Sequence, residues 1–201
     1  MILLMLAAQA AQPTAVDAER AFAMAAERDG NWTAFRRYAA PSATMFTPQP
    51  VDAQTFLKPL KDPPEPIRWS PTASWASCDG RWAVNTGEWR QVDGSVGFFS
   101  TVWTKRAEGW RWIVDGGDAL TTARAAVAEP AVRRASCEGR PKPLARVQYR
   151  EGASDQRSSP DGTLGYRWHV SGSGARTFEA WLWTGRGWEQ VLDDRIAAPK
   201  G

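Results

Sequence analysis

Apolar side chains recur at helical spacing near the start of the chain. Ala18, Phe22 and Ala25 are separated by three or four residues, which is the spacing of one helix face. Thr14 just before this pattern suits an N-terminal cap. The pattern predicts a first helix over residues 15–28.

A second helix is predicted directly after the first. Gly30 suits the left-handed position that ends a helix, and Asn31 can cap the next one. Phe35 and Tyr38 then share a face, and Pro41 ends the pattern. The two segments together predict a helical hairpin.

Three short segments follow the hairpin. Residues 43–47 predict a strand, and residues 51–57 predict a brief helix. The proline-rich residues 58–66 predict a loop or rim.

From residue 67 the pattern changes to the alternation of strands, and residues 79–118 contain five of the twelve tryptophans. Three strands separated by Gly-containing turns predict an antiparallel meander there. Phe99 and Trp103 share one strand face, and Phe98 and Val102 share the other. We therefore expect the sheet to be covered on both sides, one side by the two helices.

The sequence pattern of residues 144–201 resembles that of residues 71–118. This predicts a partial duplication, a second antiparallel segment of four strands that begins near residues 144–149 and packs sheet against sheet. The matching positions are Asp161-Gly162 with Asp79-Gly80, Trp183 with Trp103, Trp188 with Trp110, and Asp193 with Asp115.

Residues 121–143 are predicted to be a basic, proline-containing linker between the two segments. Within residues 121–150, seven Arg or Lys residues face only two Glu. A solvated linker is favoured over an anion-binding patch, because prolines interrupt the run. The formal net charge of +3 is small, so no nucleic-acid partner is expected.

Residues 1–13 are predicted to be a signal peptide and the start of the mature chain. A short apolar run ends in Ala8-Gln9-Ala10, a pattern that signal peptidase accepts, although no basic residue precedes it. The run is too short to span a bilayer, so no integral membrane segment is expected. The predicted location is periplasmic or extracellular, or cytoplasmic if this segment is not a signal.

Cys78 and Cys137 are the only cysteines. In an oxidising compartment they could form a disulfide, and otherwise they are two unpaired small residues. Two cysteines alone do not make a zinc site. No metal motif or cofactor-binding motif is present, so neither a metal nor a cofactor is expected.

Three motifs together resemble the nuclear-transport-factor-two-like superfamily and its SnoaL-like, ketosteroid-isomerase-like bacterial members of unknown function. They are WSPTA at 69–73, DGRWAVNTGEW at 79–89 and VWTKRAEGWRWIVDGG at 102–117. The resemblance covers residues 14–120. It implies an α+β cone in which a helical hairpin closes a curved antiparallel sheet around a pocket, but it implies no single reaction.

Members of this superfamily that are isomerases use a carboxylate base together with hydrogen-bond donors. The nearest set here is Asp115, Asp118 and Tyr38, although no catalytic role is carried over to any of them. Asp115 ends an apolar strand, where a carboxylate could face a cavity or instead bind backbone N–H groups or an Arg. The match with Asp193 favours the second, architectural interpretation.

Aromatic residues on the concave face of the first sheet would line a pocket suited to a flat apolar ligand. The candidate ligand-binding residues are Phe35, Trp69, Trp82, Phe99, Trp103 and Trp112.

The leading hypothesis is an exported protein whose cone-like pocket binds a small apolar or aromatic ligand or is filled by its own side chains. The alternatives are an isomerase, dehydratase or hydrolase that uses a pocket Asp as general base, and an interaction module. In the last case the C-terminal sheet would form a homodimer or another protein contact through an exposed aromatic face. Trp181 and Trp183 could form that surface or could instead pack on the outer side of the first sheet.

Overall fold

The computed structural model describes residues 12–199, so most of the predicted signal peptide lies outside the described residues. Two helices open the fold, α1 (Ala15–Asp29) and α2 (Asn31–Tyr38). A capping box begins α1, in which Thr14 and Asp17 bond each other's backbone N–H groups. The predicted hairpin is confirmed.

Gly30 allows the two helices to follow each other without a linker. Its φ of +103° suits glycine, and a Cβ at this position would collide with the carboxylate of Asp62. That carboxylate accepts the backbone N–H of Thr33 at 3.0 Å. Asp62 therefore supplies the N-terminal hydrogen bond that no side chain at the cap provides.

Seven strands form the first sheet, in the order β2-β1-β6-β5-β4-β3-β7. The meander of β4, β5 and β6 is antiparallel, as predicted, whereas β1 pairs parallel to β6 and β7 parallel to β3. A short helix, α3, follows β2. The bounds are β1 Ala39–Phe46, β2 Pro50–Asp52, α3 Ala53–Leu57, β3 Arg68–Ala76, β4 Trp82–Arg90, β5 Val96–Arg106, β6 Gly109–Leu120 and β7 Ala131–Arg134.

The second sheet is antiparallel and has four strands, in the order β11-β10-β9-β8. Its first strand begins later than predicted, because residues 144–149 form no strand. Instead Leu144 lies across Gly165, with its Cδ2 3.2 Å from where a Cβ there would sit, and its carbonyl accepts Gln156 Nε2. The bounds are β8 Ala153–Ser158, β9 Leu164–Val170, β10 Arg176–Trp183 and β11 Trp188–Ile196.

The second sheet covers the face of the first sheet that lies opposite the helices. Phe46 meets Trp168 with ring centroids 5.3 Å apart. Ser100 donates to Asp194 across the interface at 2.6 Å. Both sheets contribute to a single apolar core, so each face of the first sheet is covered, as the alternation of β5 predicts.

The two matching Asp-Gly turns have the same local geometry and touch each other. Asp79 and Asp161 each accept a hydroxyl hydrogen bond from the serine two residues earlier. Asp79 N then donates to Asp161 Oδ2 at 2.8 Å. Descent of the second sheet from the first by duplication stays a prediction.

The predicted linker takes part in the fold. Its strand β7 extends the first sheet, and Cys137 is disulfide-bonded to Cys78 with their Cα atoms 5.2 Å apart, within the range that a disulfide requires. Glu138 O accepts the indole N–H of Trp183 at 2.8 Å. The segment therefore joins the first sheet to the second.

Removal of the disulfide should destabilise the protein. The bond closes a loop of 59 residues. C78S/C137S should therefore lower the free energy of unfolding by about 2–4 kcal/mol, mainly because the unfolded chain gains conformational entropy. Urea unfolding with and without a reductant measures this difference. Reductant should shift the wild-type midpoint and leave the double variant unchanged. Equal midpoints for all four samples would contradict the expectation.

Candidate functional site

A cavity of about 270 Å³ lies between the helical hairpin and the first sheet. Aromatic side chains are the largest group in its wall, and its polar lining consists of three carboxylates and Gln91. The aromatic lining residues are Phe22, Trp32, Phe35, Phe46, Trp69, Trp89, Phe98 and Phe99. The acidic lining residues are Glu19, Asp115 and Asp118.

Glycines in the sheet make room for these rings. A Cβ at Gly87 would collide with the Phe99 ring, and one at Gly97 would collide with the Trp89 indole. Both glycines lie directly across from those residues on the neighbouring strand. The Phe99 and Trp89 rings can therefore lie flat against the strands that line the cavity.

A β-bulge aims Asp115 into the cavity. The register of β5 and β6 shifts between Val102 and Trp103, so that Trp103 pairs with Trp112 while Thr101 pairs with Asp115. Trp112 and Asp115 thereby share a face, although they are three positions apart along the strand. Regular alternation would have placed one of the two on the opposite face.

Glu19 lies on the apolar face of α1 and is fully buried. Three side chains donate to its carboxylate: Trp69 Nε1 at 2.9 Å, Trp103 Nε1 at 2.6 Å and Asn85 Nδ2 at 3.1 Å. Burial raises the pKa of Glu19 to about 7, since its hydrogen bonds offset only part of the desolvation, and the nearby Asp115 raises it further.

The sequence carried a signal for Glu19 that was missed. In α1 it lies three residues before Phe22 and four after Ala15, within the apolar stripe of the helix. A carboxylate in such a stripe must be paired or neutralised in the fold. That pattern marks Glu19 as a candidate functional residue.

Asp115 is half-buried and borders the cavity. Thr101 Oγ1 donates to its Oδ2 at 2.7 Å, and Oδ1 has no partner among residues 12–199. Burial raises the pKa of Asp115 to about 6, against the opposing effects of Thr101 and of the Arg176 charge. Its hydrogen bond is to a side-chain hydroxyl on the neighbouring strand rather than to the backbone or to an arginine.

The other two predicted catalytic residues lie elsewhere. Asp118 is exposed at the edge of the cavity, where its carboxylate accepts the N–H of Ala119. Tyr38 does not line the cavity, and its ring packs against Phe22 and Trp103. The structure therefore brings Asp115 together with Glu19 rather than with Tyr38.

Three of the six predicted ligand-binding residues, Phe35, Trp69 and Phe99, line the cavity. Trp103 and Trp112 are on the same face but are fully buried in the core behind it. Trp82 is on the opposite face, stacked on Tyr166 of the second sheet, because alternation from Trp89 along β4 points it away from the helices.

Neither the single histidine nor the C-terminal tryptophans form a site. His169 stacks on Tyr149 and its Nε2 lies 2.9 Å from Glu151 O. Trp181 lies under the Arg167 guanidinium and Trp183 is buried. In the described part of the chain, the exposed large apolar side chains are one Met and four Val, without an aromatic patch.

Residues 12–199 contain no group of three or more His, Cys, Asp or Glu side chains placed to hold a metal ion. Within the same residues, no helix is long and apolar enough to cross a membrane.

Solved structures similar to about half of this chain include three bacterial proteins. An NTF-2 like protein of unknown function from Shewanella oneidensis MR-1 is 14% identical with a TM-score of 0.41, over 49% of this chain and 91% of that one. A protein of unknown function from the DUF3225 family, from Pectobacterium atrosepticum SCRI1043, is 13% identical with a TM-score of 0.38, over 52% and 89%.

The third, from Thiobacillus denitrificans ATCC 25259, is a proposed calcium/calmodulin-dependent protein kinase type II association domain. It is 14% identical with a TM-score of 0.42, over 56% of this chain and 100% of that one. No family model and no curated protein matches the chain. These similar structures include an NTF2-like protein, a member of the superfamily that the sequence motifs resemble. We assign no function to this chain from them.

The two raised pKa values predict that stability falls as pH rises. The folded state holds protons on Glu19 and Asp115 more tightly than the unfolded chain does, because in the unfolded chain the pKa values of these carboxyls are near 4.5 and 3.8. The stabilisation that the two protonated carboxyls provide is therefore fully present below pH 4. It is lost as pH rises through about 6 for Asp115 and about 7 for Glu19. Between pH 5 and 8 the wild type should lose on the order of 3 kcal/mol of unfolding free energy.

Urea unfolding of Glu19→Gln across the same pH range isolates the share of this stability loss that comes from Glu19. This variant should lose much less stability than the wild type, because only Asp115 still titrates in the cavity. Glu27→Gln, which changes an exposed carboxylate of the same helix, is the matched control and should keep the wild-type slope. The same slope in wild type and Glu19→Gln would contradict the assignment.

Proposed function

We propose that this protein binds a small, largely apolar molecule in the cone cavity, with Asp115 as its polar contact. The observation that carries the proposal is the cavity itself, whose aromatic wall encloses a carboxylate with one free oxygen. Ligand sites typically combine an apolar lining with a few placed polar groups. A filled cone, the alternative expected from the sequence, would leave no such space.

The size of the cavity limits the ligand. Its volume of about 270 Å³ is at the lower end of the range for small-molecule sites, which begins at about 300 Å³. A molecule of one or two rings suits this space. Trp32 and Phe35, which form an edge-to-face pair 5.5 Å apart, offer aromatic contacts on the helical side.

A second candidate function is proton transfer, with Asp115 as general base. A pKa of about 6 lets this carboxyl exchange protons near neutral pH. Glu19, with a pKa of about 7, is a second carboxyl next to it. Abstraction of a proton beside a carbonyl group is the reaction class that such a pair suits.

We also propose that the protein is exported. The disulfide between Cys78 and Cys137 supports an oxidising compartment. Thiol alkylation and intact-mass measurement after expression with the native N-terminus test this proposal. It fails if the purified chain keeps residues 1–10 and carries two free thiols.

Ligand binding should depend on the cavity wall. Naphthalene-type and single-ring alcohols should quench intrinsic tryptophan fluorescence in a saturable titration, since Trp32, Trp69 and Trp89 line the cavity. Trp32→Leu should weaken binding at least about fivefold through loss of aromatic contact. Trp181→Leu, a half-buried tryptophan on the outer face of the second sheet, is the matched control and should bind as the wild type does.

Native mass spectrometry of the protein as purified gives an independent measurement. A small molecule that remains bound in the wild type and is lost in Trp32→Leu would support the proposal. Linear, unsaturable quenching that is the same in both variants would contradict it.

General-base catalysis would appear as hydrogen exchange beside a carbonyl group. If Asp115 acts as base, the protein should speed deuterium incorporation into 2-tetralone, with a rate that rises with pH through about 6. Asp115→Asn should remove the acceleration and Asp193→Asn should keep it. NMR measures the exchange, and a wild-type rate equal to that of buffer would exclude this function for the probe ketone.

A further inference from the structure

Charge is distributed unevenly around the cavity. Of the residues that line it, three are acidic and none is Lys, Arg or His, although the chain as a whole carries a formal net charge of +3. Two guanidinium groups lie just outside this lining: Arg176 lies behind Gly116 and donates to the carbonyl of Gly117 at 2.7 Å, and Arg124 lies over the Phe98 ring. A negatively charged ligand would meet three carboxylates and no positively charged side chain inside the cavity.

The acidic groups are not equally available. Glu19 already accepts three hydrogen bonds, so its oxygens are occupied. Asp115 accepts only the Thr101 hydroxyl, and its free Oδ1 can take one strong donor from a ligand. A charge-assisted hydrogen bond here would also relieve the cost of leaving a carboxylate in an apolar cavity.

The aromatic wall suits a positively charged group for a second reason. The faces of Trp and Phe rings attract cations, and more strongly where water is displaced. The chain already shows this contact at the cavity edge, where the Arg176 guanidinium lies 4.2 Å from the ring centroid of Phe46. Phe46 also lines the cavity.

We propose that the ligand of this cavity is a small organic cation, an amine attached to one aromatic ring or to a short alkyl chain. Its ammonium group bonds Asp115 Oδ1 and lies against the aromatic wall, while the ring fills the apolar part. This inference rests on the proposed binding function and assigns its chemical class.

Binding of a cation should be coupled to proton release. Burial raises the pKa of Asp115 to about 6 and of Glu19 to about 7, so part of each carboxyl is protonated near neutrality. The other charges that face this pair are Arg176 from β10 and Asp118 at the edge, and Asp194 faces Arg176 from behind the sheet. An ammonium ion favours the carboxylate form and displaces a proton.

Three probes that share one ring separate the charge of the ligand from its size: 2-phenylethylamine, 2-phenylethanol and phenylacetate. Isothermal titration at pH 8, where both carboxyls are ionised, should show the amine binding about tenfold or more tighter than the alcohol. Phenylacetate should bind least. At pH 5 the preference for the amine should fall to a few-fold.

Asp115→Asn keeps an acceptor for Thr101 and removes the charge. In this variant the amine and the alcohol should bind within about twofold of each other, because Asn offers both of them only a neutral hydrogen bond, and saturable binding of the alcohol shows that the cavity is intact. Asp193→Asn, at the matching position of the second sheet, should keep the preference for the amine. Retention of that preference in Asp115→Asn would overturn the role given to this residue.

Titrations at pH 6.5 in two buffers without a primary amine and with different ionisation enthalpies, phosphate and PIPES, measure proton release directly. Amine binding should release up to about one proton, and alcohol binding none. Equal affinity for amine and alcohol in the wild type would overturn the cation inference and leave the binding function standing. Tighter binding of phenylacetate would also overturn it. No saturable binding of any of the three probes would contradict the binding function itself for ligands of this size.

Discussion

The hydrogen bonds of the Glu19 carboxylate hold the cone together. This side chain projects from α1 and accepts donors from β3, β4 and β5, supplied by Trp69, Asn85 and Trp103. A buried carboxylate is tolerated only when such partners are present. In return, those partners fix the distance between helix and sheet, and that distance determines the width of the cavity.

The far side of the same sheet is held by a different polar arrangement. Asp194 accepts the Ser100 hydroxyl, and Arg176 reaches the carbonyl of Gly117 from the second sheet. Burial raises the pKa of Asp194, and the charges of Arg124 and Arg176 oppose that rise. Strands β5 and β6 thus lie between Glu19 and Asp115 on the cavity side and Asp194 on the other side.

Much of the fold could be predicted from the sequence because its periodicities are strong. The helix around Phe22 and the three-stranded meander follow from spacing and Gly-containing turns alone. The parallel pairing of β1 with β6 and of β7 with β3 could not be predicted, because these pairings depend on where distant segments lie in the tertiary structure. The choice of face for the second sheet was also open, because Phe98 and Phe99 make both faces of β5 apolar.

The candidate site was only partly predictable. Asp115 was identified, but its orientation depends on a bulge that alternation cannot foresee, and its match to Asp193 pointed to an architectural role. The surroundings of these two aspartates differ: Asp193 forms an ion pair with Arg195 that leaves the arginine largely exposed, whereas Asp115 borders the cavity. Glu19 does not emerge from the apolar spacing of the first helix, because that spacing takes no account of a charged residue on the same face.

The position of the second sheet has a consequence for how the molecule exists in solution. A sheet with two apolar faces would ordinarily need a partner to cover the one that its helices leave bare. Here the same polypeptide supplies that cover through Trp168, Phe178 and their neighbours. Burial of that face is therefore a first-order event, independent of protein concentration, and dilution does not expose it.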